Sequence, residues 1–500
     1  SDPVRKAELL RIADACRAPY EAPRNFHEAV QSVWFTQMMI WADENQQACC
    51  IARPDQYLYP FYKADIESGA ITQTEAQELL ECLWIKLAEY IYVVTADGAS
   101  YYSGYISFCG VTVGGVDDHG ENAVNELSSM MLRCTMDLQM NTPTINVRVN
   151  KKTPDSYLME VCDLIKLGTG QPAVFYDENA FEILKRRGVP LEEAYNWSVG
   201  GCIEPYPAGK SHMWAEACRY SYAIAVEWAL FNGYTKYWKR DIGLKTGDPR
   251  TFDTYEKFED AVKKQLAYQI KMGVASVHVS EQAHRKRLPK TVRSILTEGC
   301  VESGVDCLFG GAVFNNGPGL ETTGLTDLAD SMAAVKKLVY EDKVFTMDQL
   351  VTMLEKDFEG YEAERQILIN RAPKFGNDDP YVDNIAKEMM DFSYEVTTSY
   401  KNLLGYNFVT GNVPVIANIP HGEVTCALPS GRKEGTGLAD GVSPFGGYDK
   451  NGPTAILKSV CTLDHSKSGC GNLLNMKLSP ALLKTEQDKK NLIALMRTES

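Results

Sequence analysis

The sequence predicts an α/β protein: one large domain built on parallel strands and decorated by helices. Three observations carry that expectation. Strand-like and helical runs alternate between residues 106 and 176, the spacing of βαβ units. Helical periodicity dominates on either side, over 3–95 and 213–297. Between them, the apolar run Trp197-Ser198-Val199 breaks at Gly200-Gly201 and presents Cys202, then Glu204. In parallel α/β folds, sites gather beyond the carboxyl ends of strands, where this break falls.

Taken in order, residues 3–95 read as helices. Thr72-Gln73-Thr74-Glu75 has the spelling of a capping box, and Ala76, Leu79, Leu80, Leu83 and Leu87 follow on one helical face. The polar stretch Asp43 to Cys50 lies between apolar elements. On general grounds it is a surface turn, with a pocket wall as the alternative. Ile106 to Val113 reads as a strand ending at Gly114-Gly115, Asn122 to Leu138 as a helix and Thr144 to Val149 as a strand. Thr153 is expected to cap a helix with Pro154 at its first position. That helix ends at Gly168, and Pro172 to Tyr176 is the next strand. The strand before Cys202 is expected to continue this parallel series. Phe309 to Gly319 is a glycine-rich loop around a short strand, without the lysine of a phosphate-binding loop or a dinucleotide fingerprint. Helices are expected over 326–341 and 381–402, then strand and loop to the end. No repeat, low-complexity tract or linker divides the chain.

Composition excludes several classes. The chain is 44% hydrophobic and 23% charged, which is ordinary for a globular protein. A net charge of −15 argues against nucleic-acid binding through basic surface. The 14 cysteines are scattered, with no pair or His/Cys cluster at metal-site spacing, so no metal is expected and the compartment reads as a reducing cytoplasm. No apolar stretch reaches membrane-spanning length. The first residues are not a signal peptide and lack an initiator Met, so the start is taken as a cut.

Cys202 and Glu204 carry the chemistry. On an extended segment i and i+2 point the same way. A carboxylate raises the pKa of a nearby thiol, which is poor for a thiolate nucleophile. The pairing suits a thiol that reacts as a neutral or radical species while the carboxylate moves a proton. The competing interpretation is an inert core cysteine. Gly299-Cys300-Val301-Glu302 repeats the spelling after a helical run, where it reads as a glycine-capped helix end with a structural role.

Many ordered stretches together resemble the glycyl radical enzymes, the superfamily of pyruvate formate-lyase and the radical diol dehydratases. They include Asp55-Gln56-Tyr57-Leu58-Tyr59-Pro60, Glu81 to Lys86, Lys152-Thr153-Pro154-Asp155, Gly170-Gln171-Pro172-Ala173 and Gly201-Cys202-Ile203-Glu204-Pro205. The Pro429 to Pro444 block, Asn451 to Ala455 and Leu463 to Lys467 complete the set. The resemblance implies a ten-stranded α/β barrel of two antiparallel five-stranded halves, with the cysteine on a loop threaded into it. It implies that Cys202 becomes a thiyl radical and that Glu204 is the base. Glu216 stands where glycerol-type dehydratases carry Asp, and is either the group that protonates a leaving group or an exposed helix carboxylate.

Within the superfamily, Cys202-x-Glu204-Pro205 with Gly209-Lys210 and Trp214 looks most like the branch of diol dehydratases, choline lyase, hydroxyproline dehydratase and isethionate lyase. A single cysteine beside Gly201 departs from the paired cysteines of pyruvate formate-lyase and puts acetyl transfer in doubt. Asn45-Gln46-Gln47-Ala48 stands where glycerol-type dehydratases carry Asn-Gly-His-Ser, which argues against glycerol. Asp43, Gln47, Ala48 and Phe108 are implied substrate contacts. His212 is either a fifth contact or a satisfied surface histidine. The family's Arg-Val-x-Gly-Tyr/Phe loop does not occur before Ser500. The resulting expectation is an internal fragment truncated at both ends, a single barrel domain without the glycyl radical domain and unable to turn over by itself. No bound cofactor is expected; the radical would be installed by a separate S-adenosylmethionine/iron–sulfur activating enzyme. The resemblance also implies a homodimer. The function implied is a radical lyase eliminating water, amine or sulfite from a small polar substrate. The alternatives are an arylacetate-type decarboxylase and an inactive fragment or binding module.

Overall fold

The computed structural model describes residues 2–17, 20–44, 48–102, 108–315 and 317–497. The first sheet holds β1 (Gly110–Gly114), β2 (Thr144–Val149) and β3 (Ala173–Tyr176). They run parallel in that order, with Val111 opposite Ile145 and Val147 opposite Val174. This is the expected βαβ unit. Its connections are the helices Glu126–Leu138 and Asp155–Lys166, whose apolar faces cover the buried Val and Ile side chains of β1 and β2. The helices Phe26–Glu44 and Gln73–Ala88 add a further layer to this core, the latter opening with the expected reciprocal Thr72–Glu75 cap.

Two helix starts differ from expectation. The first begins at Glu126 rather than Asn122, because Asn125 Oδ1 accepts from Leu127 N at 2.9 Å and serves as the cap. The second begins at Asp155 with Pro154 in the cap position. Thr153 Oγ1 instead accepts from Asn150 N at 2.9 Å and closes the preceding turn.

β4 (Trp197–Gly200) corrects a larger expectation. It does not extend the parallel series but folds back on β5 (Glu204–Pro207) as an antiparallel hairpin, with Gly200 opposite Glu204. The Gly200-Gly201 turn permits the reversal. The hairpin leans on β1, where Val199 N donates to Thr112 Oγ1 at 3.1 Å. A buried polar network fixes its base. Arg148 Nε donates to Asp177 Oδ1 at 2.6 Å, Trp197 Nε1 donates to the same oxygen at 2.8 Å, and Arg148 Nη1 reaches Trp197 O at 2.9 Å. Gly115, at φ 79°, makes room for it: a Cβ there would lie 2.4 Å from Arg148 Nε. Asp55 and Arg53 lock the end of β1, Asp55 accepting from Gly114 N at 2.7 Å and Arg53 donating to Gly114 O at 3.0 Å.

Beyond the hairpin come β6 (Ser211–His212), β7 (Cys218–Ser221), the small antiparallel pair β8 (Tyr234–Thr235) and β9 (Arg240–Asp241), β10 (Phe314–Asn315), β11 (Gly319–Thr323) and β12 (Val409–Gly411). β10 pairs with β6, and a second parallel sheet runs in the order β12-β11-β7. In it Glu321 is the register partner of Arg219. The helices Tyr222–Leu230, Tyr255–Arg287, Leu325–Val335 and Pro380–Thr398 pack around it in the largest core.

Among the described residues these strands form five separate sheets of two or three strands, and none closes on itself. The ten-stranded barrel is therefore not present as one hydrogen-bonded sheet. β4 pairs with β5 and meets β1 through the Val199–Thr112 side-chain contact, without joining the β1-β2-β3 ladder. The C-terminal part is integral to the fold. Asn472 bridges to Asn412 beyond β12, and the helix Glu486–Arg497 lies on Asp155–Lys166, with Lys489 Nζ 2.7 Å from Asp163.

Candidate active site

The tip of the β4–β5 hairpin presents Cys202. Gly201 takes φ 91°, and a Cβ there would lie 3.1 Å from Glu204 Oε2 and 3.2 Å from the Ala48 methyl. Glu204 and Cys202 do converge, but not by strand alternation. The carboxylate folds back over the turn, Oε2 accepting from Cys202 N at 2.8 Å and Ile203 N at 2.9 Å. Cys50 holds the other side, its Sγ accepting from Gly201 N at 3.1 Å and Gly110 N at 3.2 Å.

The second sheet supplies a charged cluster. Glu216, just before β7, accepts from Tyr102 Oη at 2.5 Å and from Arg219 Nε at 2.9 Å. Arg219 also donates from Nη1 to Val413 O, and its Nη2 lies 2.6 Å from Glu321 Oε2. That last pairing is an ion contact without hydrogen-bond geometry. Glu321 is only 1% exposed, Glu204 only 3%. Glu321 and Glu204 also act on each other: hydrogen bonding between the two carboxyls raises Glu321 and lowers Glu204.

These neighbours set the protonation states. Burial pushes the Cys202 thiol well above its ordinary value, and the charges of Glu204, Glu321 and Glu216 push it further. Burial raises Glu204 to about 7, against the pull of its backbone N–H donors. Burial also raises Glu321 well above the usual carboxyl range, with Arg219 opposing and Glu216 and Glu204 reinforcing. Burial lifts the Cys50 thiol to about 12. The site thus contains a neutral thiol and a carboxyl poised near neutrality, an arrangement for moving a hydrogen atom and a proton rather than for thiolate attack.

Cys202, Glu204, Glu216, Ala48 and Phe108 come together. Phe108 is buried at φ 46° with its ring edge-on to Tyr102 at 5.8 Å. The Ala48–Cys50 stretch is a wall of the site, so the surface-turn interpretation is corrected: Cys49 is buried and Cys50 bonds the hairpin. Asp43 does not take part. It is exposed and accepts from Val292 N at 3.3 Å. Gln47 lies outside the described residues. His212, on β6, stands apart from the thiol. It lines a cavity of about 40 Å³ with Trp214 and His284, and burial, with Arg293 and Lys290, lowers it to about 3. Gly299, at φ 92°, caps the start of the single turn Cys300–Ser303 rather than the end of the preceding helix, and Cys300 is buried. The sequence reading missed Cys50, Tyr102, Arg219 and Glu321. Only strand register signals Arg219 and Glu321, and register is not written in either segment alone.

A half-buried thiol at a glycine-turned hairpin tip, with carboxyls around it, defines a candidate active site in an α/β fold. The family model for pyruvate formate lyase-like proteins matches residues 1–422, and that for the glycine radical matches 438–499. The chain is 35% identical to trans-4-hydroxy-L-proline dehydratase of Clostridioides difficile over 503 residues, 99% of this chain and 63% of that protein. It is 35% identical to isethionate sulfite-lyase of Desulfovibrio desulfuricans over 508 residues, 100% of this chain and 61% of that protein. The glycerol-bound B12-independent glycerol dehydratase of Clostridium butyricum superposes with a TM-score of 0.95 at 36% identity, covering 100% of this chain and 63% of that one.

The chain belongs to the pyruvate formate lyase-like family of glycyl radical enzymes. It spans 61–63% of the length of these relatives. The match over 438–499 corrects the expectation that the glycine radical domain lies outside the chain, and nothing in these similarities supports an inactive fragment.

Proposed function

We propose that the whole protein is a radical lyase, acting on a small polar substrate and eliminating a neighbouring group. The observation that carries this is the neutral Cys202 thiol beside Glu204, with Glu216 and Glu321 across the gap. Cys202 would give its S–H hydrogen atom to a glycyl radical, installed by a separate S-adenosylmethionine/iron–sulfur activating enzyme, and be left as a thiyl radical. Cys202 then takes a hydrogen atom from a hydroxyl-bearing substrate carbon, Glu204 accepts the hydroxyl proton, and the adjacent C–O or C–N bond breaks. Glu216, held by Tyr102 and Arg219, is assigned the transfer of a proton to the departing group. Cys202 returns the hydrogen atom to the product. Ala48 and Phe108 would border the substrate.

Arg219 is already engaged by Glu216, Glu321 and Val413 O. The site therefore offers carboxyls rather than a cation to an incoming group, which favours water or amine over sulfite as the leaving group. The same charge disfavours an arylacetate, the substrate type of the decarboxylase alternative. The parallel sheets would be arcs of the family's barrel, with TM-scores of 0.95 and above supporting that arrangement. A homodimer and a cytoplasmic setting belong to the same proposal, the latter supported by 14 unbridged cysteines.

The test is anaerobic activation of the full-length protein, followed by a panel of small vicinal diols, amino alcohols, hydroxylated amino acids and hydroxysulfonates, with carbonyl products trapped. Conversion of a diol or amino alcohol, lost in C202A and E204Q, is the expected result. Turnover that survives C202A, or release of carbon dioxide from arylacetates in place of elimination, would overturn it.

A further inference from the structure

Glu321 takes no chemical step in the proposal above, yet it is the most deeply buried carboxyl of the cluster. Its position is set by the fold. β7 and β11 pair in parallel, and their register puts Glu321 directly beside Arg219. The two side chains meet at 2.6 Å. On its other side β11 pairs Glu321 with Gly411, which has no side chain to crowd it. The same carboxyl interacts with Glu204 of the hairpin tip, which is among the causes of its raised pKa.

Two carboxyls in contact within a buried site do not both ionise. Their partners decide which one keeps the proton. Glu204 Oε2 already accepts two backbone N–H groups, at 2.8 and 2.9 Å, which favours its anion. Glu321 has only the Arg219 contact, and that guanidinium is shared with Glu216 and with Val413 O. The proton therefore belongs on Glu321, whose O–H then points at Glu204. Other titratable groups surround the pair: Cys202, Cys50 and Tyr206 on the hairpin and its neighbours, Glu216 and Tyr102 beside β7, Cys470 and Arg187, and His421 through Thr323.

We propose that Glu321 is a positioning residue for Glu204: clamped by Arg219 from the neighbouring strand, it donates a hydrogen bond to the Glu204 carboxylate as a neutral acid. Glu321 does not touch substrate. It keeps Glu204 ionised and oriented toward Cys202, and it shields that anion from Glu216. This rests on the assignment of Glu204 as the base, but its test needs neither radical nor substrate.

The experiment is an infrared pH titration of the unactivated protein, following carboxyl C=O bands, with E204Q used to assign the Glu204 signal. E321Q keeps an N–H donor toward Glu204 and cannot ionise; E321M removes the donor at similar volume. E321Q is expected to leave the Glu204 midpoint near that of the wild type, and E321M to raise it by about one unit, as loss of a hydrogen bond to the anion should. Wild type minus E321Q should also show a protonated-carboxyl band that persists about one unit above the Glu204 midpoint. If E321M does not fold, this band decides alone. Its absence, or a Glu204 midpoint moved by E321Q as much as by E321M, would overturn the proposal. Once activity is measurable, E321Q should retain the wild-type pH profile and E321M should shift its acidic limb upward.

Discussion

At the scale of single residues the account turns on two protonation states. Burial and three nearby carboxyls keep Cys202 a thiol, and Glu204 is poised at about 7. Its base form is the ionised one, so kcat/KM should rise about tenfold per pH unit below that value and level off above it. A profile flat from acid to alkaline would detach Glu204 from the chemistry. Stability carries the opposite sign. The folded state holds a proton on Glu204 that the unfolded chain has already released, so folding weakens as pH rises from the ordinary carboxyl range through about 7. E204Q escapes this, and thermal unfolding should show its advantage over wild type growing across that window. Cys202 and Glu204 were legible in the sequence because a glycine turn, a thiol and a carboxylate lie within a few residues of each other. Arg219 and Glu321 were not, because they meet only through the register of β7 and β11.

At the scale of elements the hairpin is what places the thiol. Thr144 to Val149 was readable to its ends from its run of alternating and β-branched residues. The partner of Trp197 to Gly200 was not, since an isolated apolar strand does not state whether it pairs forward or back. Two substitutions probe how the hairpin is held. G201A forces a residue with a side chain to φ 91° and brings its methyl against Glu204 and Ala48. It should cost about 1–2 kcal/mol in chemical denaturation, the usual penalty of the left-handed region. D177N leaves Arg148 buried without its charge partner at the base of the hairpin, 2.6 Å away in the wild type. A loss of about 3–5 kcal/mol is expected. A wild-type midpoint in D177N would mean that the network does not anchor the hairpin. The matching stretches Asp55 to Pro60 and Leu463 to Lys467 also work at this scale. Asp55 accepts from Gly114 N, and His465 lies within hydrogen-bonding distance of both Val460 O and Asn472. Both stretches tie segments of the chain together.

At the scale of the whole molecule, two parallel three-stranded sheets with a glycine-tipped hairpin between them bring parts of the chain from Ala48 to Cys470 to one thiol. The fold class was legible from alternating helix and strand periodicity, while closure into a barrel came only with the resemblance and is not seen as one continuous sheet. Residues 438–499 match the family model for the glycine radical, and the proposed function stores the radical on glycine. If that radical communicates with Cys202, the glycine α-hydrogen must exchange with solvent through the thiol S–H, which itself exchanges freely. The most direct measurement is electron paramagnetic resonance of the activated full-length protein, prepared in ordinary and in heavy water, for wild type and C202A. The account predicts that the α-proton splitting of the glycyl signal collapses in heavy water for wild type and persists in C202A. A splitting that persists in wild type, or that collapses equally in C202A, would contradict Cys202 as the residue through which the radical passes.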